Sequence, residues 1–149
     1  MNEPLTPRMK QEEPSTELVT NVFVYGTLKS GGQLRGLDLF PADHRELQGK
    51  AKTTYPDYQM HDLGSFPAVT PGKNYIQGEV WKVSKWLEGE IDQMEGYGGK
   101  NSQNLYDKVT TQTTLGPAKM YIMDTESAQS WAQEPNQVQM VNDTFIWNL

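Results

Sequence analysis

The sequence predicts an α+β domain: a small, mixed, mostly antiparallel β-barrel, closed or half-closed, with a few helices packed on it. Three observations carry this. Short runs rich in Val, Ile, Tyr and Thr recur along the chain, with Gly, Pro, Asn or Asp turn signals between them. One of those signals, Leu115-Gly116-Pro117, reads as a hairpin. A single longer segment shows apolar residues at helical spacing.

Taken in order, residues 1–20 carry three prolines, scattered charge and no apolar period, so they read as a flexible N-terminal tail. A tail that docks on a partner is the other reading. The domain is expected over 21–149. Val22-Phe23-Val24-Tyr25 is a nearly continuous apolar run ending at a glycine, as in a strand buried on both faces. Gly26 to Gly32 is a loop, and Leu34, Leu37 and Phe40 recur at threes in a short helix closed by Pro41. Further strands are expected at Gln48–Thr54, Tyr58–Leu63, Tyr75–Val83, Tyr106–Thr114 and Ala118–Met123. The longer helix has Ser84 as N-cap and Val83, Leu87, Ile91 and Met94 as its apolar stripe. Gly96 sits where a C-terminal glycine would end it, and Gly89 weakens it from within. Glu126–Gln133 suits a second short helix, and Phe145-Ile146-Trp147 either a strand or an apolar plug.

Composition sets the outer limits. The 149 residues suit one domain, and 36% hydrophobic with 10% aromatic residues implies a core built largely from rings. A formal charge of -6 argues against a nucleic-acid partner, which needs a basic stripe. With no cysteine, disulfides, thiolate metal sites and a cysteine nucleophile are excluded. No apolar run suits a membrane span and the N-terminus is polar, so the expectation is a cytoplasmic protein with no membrane partner. Oligomeric state is not readable.

The common motifs fail. Gly26 and Gly31 have the glycine spacing of a phosphate-binding loop, but Gly32 and Gln33 follow where Lys and Ser/Thr are required. His44 and His61 read as surface histidines rather than metal ligands, and Ser65 lies in Gly-Ser-Phe-Pro, not in a nucleophile elbow.

Two features remain. At Tyr25-Gly26-Thr27-Leu28 a strand turns at a glycine, and consecutive N–H groups there can form an anion-binding nest; an ordinary strand-to-helix turn fits equally well. Glu95 ends the long helix before Gly96-Tyr97-Gly98-Gly99. The negative end of the helix dipole, together with Tyr97, Tyr106 and Trp residues, would raise its pKa and let it take and return a proton near neutrality. Asp92, one turn earlier, suggests a carboxylate pair, although such acids ordinarily form a solvated helix face.

In this order the segments resemble the γ-glutamylcyclotransferase-like (AIG2-like) family. Val22 to Gly31 is similar to its apolar strand and Tyr-Gly-Thr/Ser-Leu turn. Gly64-Ser65-Phe66-Pro67-Ala68-Val69 is similar to its Gly-x-Phe/Tyr-Pro segment, and Gln77-Gly78-Glu79-Val80-Trp81 to its Gly-Glu-Val-aromatic strand. Ile91-Asp92-Gln93-Met94-Glu95-Gly96-Tyr97 is similar to Leu-Asp-x-x-Glu-Gly-Tyr, and Tyr106-Asp107-Lys108-Val109 to its Tyr-x-Arg strand. The resemblance covers roughly 21–125. It implies the fold of that family and a carboxylate-bearing small-molecule substrate. The implied reaction converts a γ-glutamyl amine or peptide to 5-oxoproline without metal or organic cofactor. Glu95 would be the catalytic proton shuttle; Tyr25, Gly26, Thr27 and Leu28 would hold the α-carboxylate; Tyr106 would line the pocket. Lys108 stands where the family usually has Arg, which removes a bidentate contact while keeping the charge. Leu34 and Arg35 stand where many members carry Asn or His, and Gly98–Asn104 is a long polar rim. Residues 124–149 find no counterpart. The rival functions are a non-catalytic protein that sequesters an anionic ligand in the same pocket, and a protein–protein module with exposed Trp residues and a collapsed pocket.

Overall fold

The computed structural model describes residues 13–26, 28–29, 36–99 and 103–148. Strand β1 (Leu18–Val24) leads through the Gly26 turn to 3-10 turns at Gly36–Leu39 and Ala42–His44. Then come β2 (Arg45–Lys52), β3 (Tyr58–Asp62), β4 (Pro67–Pro71), β5 (Tyr75–Ser84) and helix α1 (Lys85–Met94). Strands β6 (Asp107–Thr113) and β7 (Gly116–Ile122), helix α2 (Thr125–Trp131), β8 (Val138–Val141) and β9 (Thr144–Trp147) complete the chain. The expected elements are present with ends moved by a few residues. Leu34 lies outside the described residues, so of the expected short helix the structure shows its last turn, Gly36–Leu39.

One sheet runs β6-β7-β1-β5-β9-β8, with β2 on the other edge of β5, and β3 and β4 form a separate hairpin. β1 is antiparallel to β5 (Val22 opposite Trp81) and parallel to β7 (Val22 opposite Lys119). The sheet curls until the end of β2 reaches the end of β6. Thr53 bridges Thr113, Thr54 N–H donates to the Gln112 carbonyl at 2.8 Å, and Thr114 N–H to the Lys52 carbonyl at 2.9 Å. The result is a half-barrel.

β1 is central because both its faces are apolar. Val22 and Val24 pack in one core with Leu87 and Ile91 of α1 and Ala128 of α2. Phe23 and Tyr25 pack in the other with Val80, Met120, Phe145 and Trp147. Leu87 and Ile91 are fully buried, worth about 1.5–3 kcal/mol each, and Ser84 caps their helix by accepting the Leu87 N–H at 3.1 Å.

Several expectations need correction. β1 starts at Leu18 rather than at Val22: Leu18 pairs with Ser84, and the Thr20 hydroxyl donates to Glu88 at 2.9 Å. Of the two readings of the C-terminal Phe145-Ile146-Trp147, the strand holds and the plug does not: it runs parallel to β5, with β8 as a hairpin partner. His44 is buried, not on the surface, with Nδ1 2.6 Å from the Ser84 hydroxyl and its ring 4.7 Å from that of Trp86. His61 is half-buried against Thr70 at 2.9 Å. The tryptophans do not form an exposed patch. Trp81 and Trp147 are core residues, Trp86 is half-buried, and Trp131 alone of the four is exposed. No described helix is long and apolar enough to cross a membrane.

Candidate functional site

Three elements end at one place. β1 leaves the sheet at Tyr25 and turns at Gly26, where Lys29 N–H donates back to the Gly26 carbonyl at 3.0 Å. β4 begins at Pro67, whose ring packs against Gly26 so closely that a Cβ there would lie 2.7 Å from Pro67 Cγ. Gly26 is thus required by a neighbouring side chain rather than by a left-handed backbone. Helix α1 ends with Glu95 as its C-cap, followed by Gly96 at φ +67°.

Between these ends lies a cavity of about 420 Å³. Tyr25, Gly26, Leu28, Glu95 and Tyr106, five of the six residues expected at the site, all line it. The sixth, Thr27, lies outside the described residues. Phe66, Pro67 and Tyr121 also line it, as do Met94 and Leu105. Tyr121 is a lining residue that the sequence does not announce. It stands on β7, and only the parallel register of β7 with β1 brings it to Tyr25.

Hydrogen bonds fix the walls. The Tyr25 hydroxyl donates to the Tyr121 carbonyl at 2.6 Å, and the Tyr106 hydroxyl to the Pro67 carbonyl at 2.9 Å. Tyr106 N–H donates to the Glu95 carbonyl at 3.3 Å, which ties the start of β6 to the end of α1. Both Tyr25 and Tyr106 are raised above the ordinary tyrosine value, first by burial. These phenols therefore stay neutral and serve as walls and donors.

Glu95 is half-buried, and burial lifts its carboxyl from the ordinary 4.5 to about 7. The cause is desolvation by burial in the tyrosine-lined cavity. The rings concerned are Tyr25, Tyr106 and Tyr121; no Trp among the described residues lines the cavity, and Tyr97 packs outside it. A carboxyl that titrates near neutrality can act as both base and acid.

Asp92 does not form a second carboxylate facing the cavity. It accepts from the Tyr121 hydroxyl and pairs with Lys108 at 3.0 Å. Lys108 also pairs with Glu88, so its charge is committed to α1. Burial lowers the lysine's pKa, but the Glu88 and Asp92 contacts outweigh it and the net displacement is upward. The Arg-to-Lys departure thus lies behind the wall, where it braces Tyr121 through Asp92. Among the described residues no group of three or more His, Asp or Glu side chains could hold a metal ion.

Comparison with known proteins identifies the family. Residues 22–141 match the family described as gamma-glutamyl cyclotransferase, AIG2-like, so the match runs past the expected limit near 125 and corrects the expectation that residues from 124 onward find no counterpart. The chain belongs to that family. It is 32% identical over 101 residues to the gamma-glutamylcyclotransferase family protein YtfP of Escherichia coli K12, covering 68% of this chain and 80% of that protein. An AIG2-like protein of Mus musculus has the same fold, with a TM-score of 0.59, 20% identity, and coverage of 77% of this chain and 83% of that one. The uncharacterized protein PH0828 of Pyrococcus horikoshii also shares it, with a TM-score of 0.54, 23% identity, and coverage of 79% and 82%.

Proposed function

We propose that this protein cyclises the γ-glutamyl group of a γ-glutamyl amide to 5-oxoproline and releases the amine. The observation that carries this is the Glu95 carboxyl, held near neutrality in a cavity that the Tyr25-Gly26 turn also borders. The substrate's α-carboxylate lies against the backbone of that turn. Glu95, ionised, takes a proton from the α-ammonium. The freed amine attacks the γ-carbonyl of its own chain, and the C–N bond of a five-membered ring forms. The tetrahedral intermediate collapses as Glu95 returns the proton to the departing nitrogen and the ring nitrogen gives up its second proton, which leaves on the released amine as an ammonium, so one amide is exchanged for another and the carboxylate is regenerated. Nucleophile and electrophile belong to one molecule, so orientation and proton transfer are the whole task, and the chemistry requires no metal or organic cofactor. The tyrosine walls support it by excluding water from the proton transfer.

The test is 5-oxoproline release from a panel of γ-glutamyl amides by the parent and by Glu95→Gln. Loss of general acid–base catalysis lowers kcat by about 10²–10⁴-fold. Equal turnover in both would refute the shuttle. Tight binding without turnover in either would favour an anionic-ligand-binding protein.

A further inference from the structure

The mouth of the cavity has a property that the cyclisation chemistry does not use. Met94 and Leu105 line the cavity yet remain 48% and 43% exposed. Their placement is built in. Leu105 N–H donates to the Gly96 carbonyl at 3.0 Å, and a Cβ on Gly96 would lie 2.9 Å from Leu105 Cβ. The hydrogen bond from Tyr106 to Glu95 anchors the next residue, so Leu105 is stitched beside the residues that follow Met94. Phe66 extends the apolar wall from the β3–β4 connection. Among the described residues the lining contains no Lys, Arg or His. Two described cations of the neighbouring elements are committed elsewhere: Lys108 to Glu88 and Asp92, and Lys29 to the Trp147 carbonyl at 2.8 Å.

We infer that the substrates are γ-glutamyl amides of neutral, apolar amines, whose hydrocarbon tails cover Met94, Leu105 and Phe66 as they leave the cavity. This rests on the cyclisation reading above. With the glutamyl group against the Gly26 turn and the scissile amide at Glu95, the remainder of the amine faces the mouth. A hydrocarbon there removes two exposed apolar side chains from water. An ammonium or carboxylate at the same place would lose hydration without gaining a partner among the described lining residues, whose one charged side chain, Glu95, is engaged with the scissile amide.

The test compares γ-glutamyl-hexylamide with γ-glutamyl-(5-aminopentyl)amide, which have the same length and differ at the terminal group. The measurement is kcat/KM for 5-oxoproline release by the full chain. The expected result is at least about tenfold preference for the hexylamide. Leu105→Asp, and separately Met94→Asp, should move the ratio toward the ammonium compound, with thermal melts showing which variants remain folded. Equal kcat/KM for the two amides, or preference for the ammonium compound, overturns the inference. So does a preference that both folded variants leave unchanged. If neither amide is turned over, the proton-shuttle reading fails, and calorimetry with the same pair still decides this one: tighter hexylamide binding supports it, and equal affinities overturn it.

Discussion

Replacing Glu95 by Gln should stabilise the protein, and by an amount that grows with pH. A carboxyl that ordinarily titrates at 4.5 titrates here at about 7 because burial disfavours its charge. Below pH 4.5 the group is protonated in the folded and unfolded chains alike and costs nothing. As pH rises from 4.5 to 7, the unfolded chain releases this proton while the folded chain keeps it, so stability falls. Above 7 both are ionised and the penalty is complete. At about 1.36 kcal/mol per pH unit, the interval sets a ceiling of about 3.4 kcal/mol. Glu95 is only half-buried, and water screens it, so roughly 1.5 kcal/mol is the working figure. For a chain of this size that corresponds to roughly 3–6 °C in Tm. Glutamine keeps the shape and cannot ionise. Thermal melts of parent and Glu95→Gln should therefore differ by that amount at pH 8.5, by far less at pH 5, and converge near pH 4. Other titrations are common to both proteins and cancel in the difference. A gap that stays constant between pH 5 and pH 8.5 would refute the buried-carboxyl argument, whatever the enzyme assay shows.

Two further predictions concern the frame around the site. Gly26→Ala should cost about 1–3 kcal/mol in urea unfolding and weaken substrate binding, because the new methyl drives the Pro67 ring, and with it the carbonyl that holds Tyr106, away from the turn. Asp62→Asn should cost about 2–3 kcal/mol, since the carboxylate accepts N–H groups from Gly64, Asn136 and Gln137 at 2.8–3.0 Å and an amide nitrogen would face one of those donors. Burial pulls the Asp62 pKa up, but those donors outweigh it and hold it below 3.8, so this stability is present above pH 3.8 and is lost as pH falls through the lower folded value. The gap between parent and variant should therefore narrow in acid titrations.

The legible parts of the fold are those where local pattern and tertiary burial agree. β1 reads as doubly buried because its apolar run has no polar face, and α1 reads as a helix because Ser84, Leu87 and Ile91 serve capping and packing together. β4 is not legible because prolines, Pro67 and Pro71, bound its short apolar run at both ends. They sit in a two-stranded hairpin where a missing N–H is tolerated. β9 is legible as one of two readings, but its partner β8 and the turn between them are not. The turn residues, Asn142 and Asp143, both take positive φ, 50° and 64°, but Asn-Asp is a weaker signal than Asn-Gly. At the site, Glu95 was visible from the glycine beside it. Tyr121 was not, because nothing in the sequence near β7 announces a parallel register with a strand about a hundred residues earlier. Lys108 was placed on the right strand, but its commitment to α1 depends on how two distant elements pack.

The location of the cavity follows from how its three bounding elements stop. A strand, a hairpin and a helix each expose backbone polar groups where their regular bonding ends. β1 stops at a glycine that Pro67 leaves no room to enlarge, β4 starts at a proline with no N–H to pair, and α1 stops at a left-handed glycine. None of these stops supplies a charged side chain apart from Glu95, and the surrounding core supplies tyrosines. The site therefore combines backbone polarity with a low-dielectric wall. That is the environment in which a single carboxyl holds its proton near neutrality. Moving any one of the three stops would let water in and return Glu95 toward its ordinary value. The pH-dependent gap between parent and Glu95→Gln should therefore shrink when measured in a Gly26→Ala background. This coupling ties the carboxyl's behaviour to the geometry of a turn 69 positions earlier in the sequence.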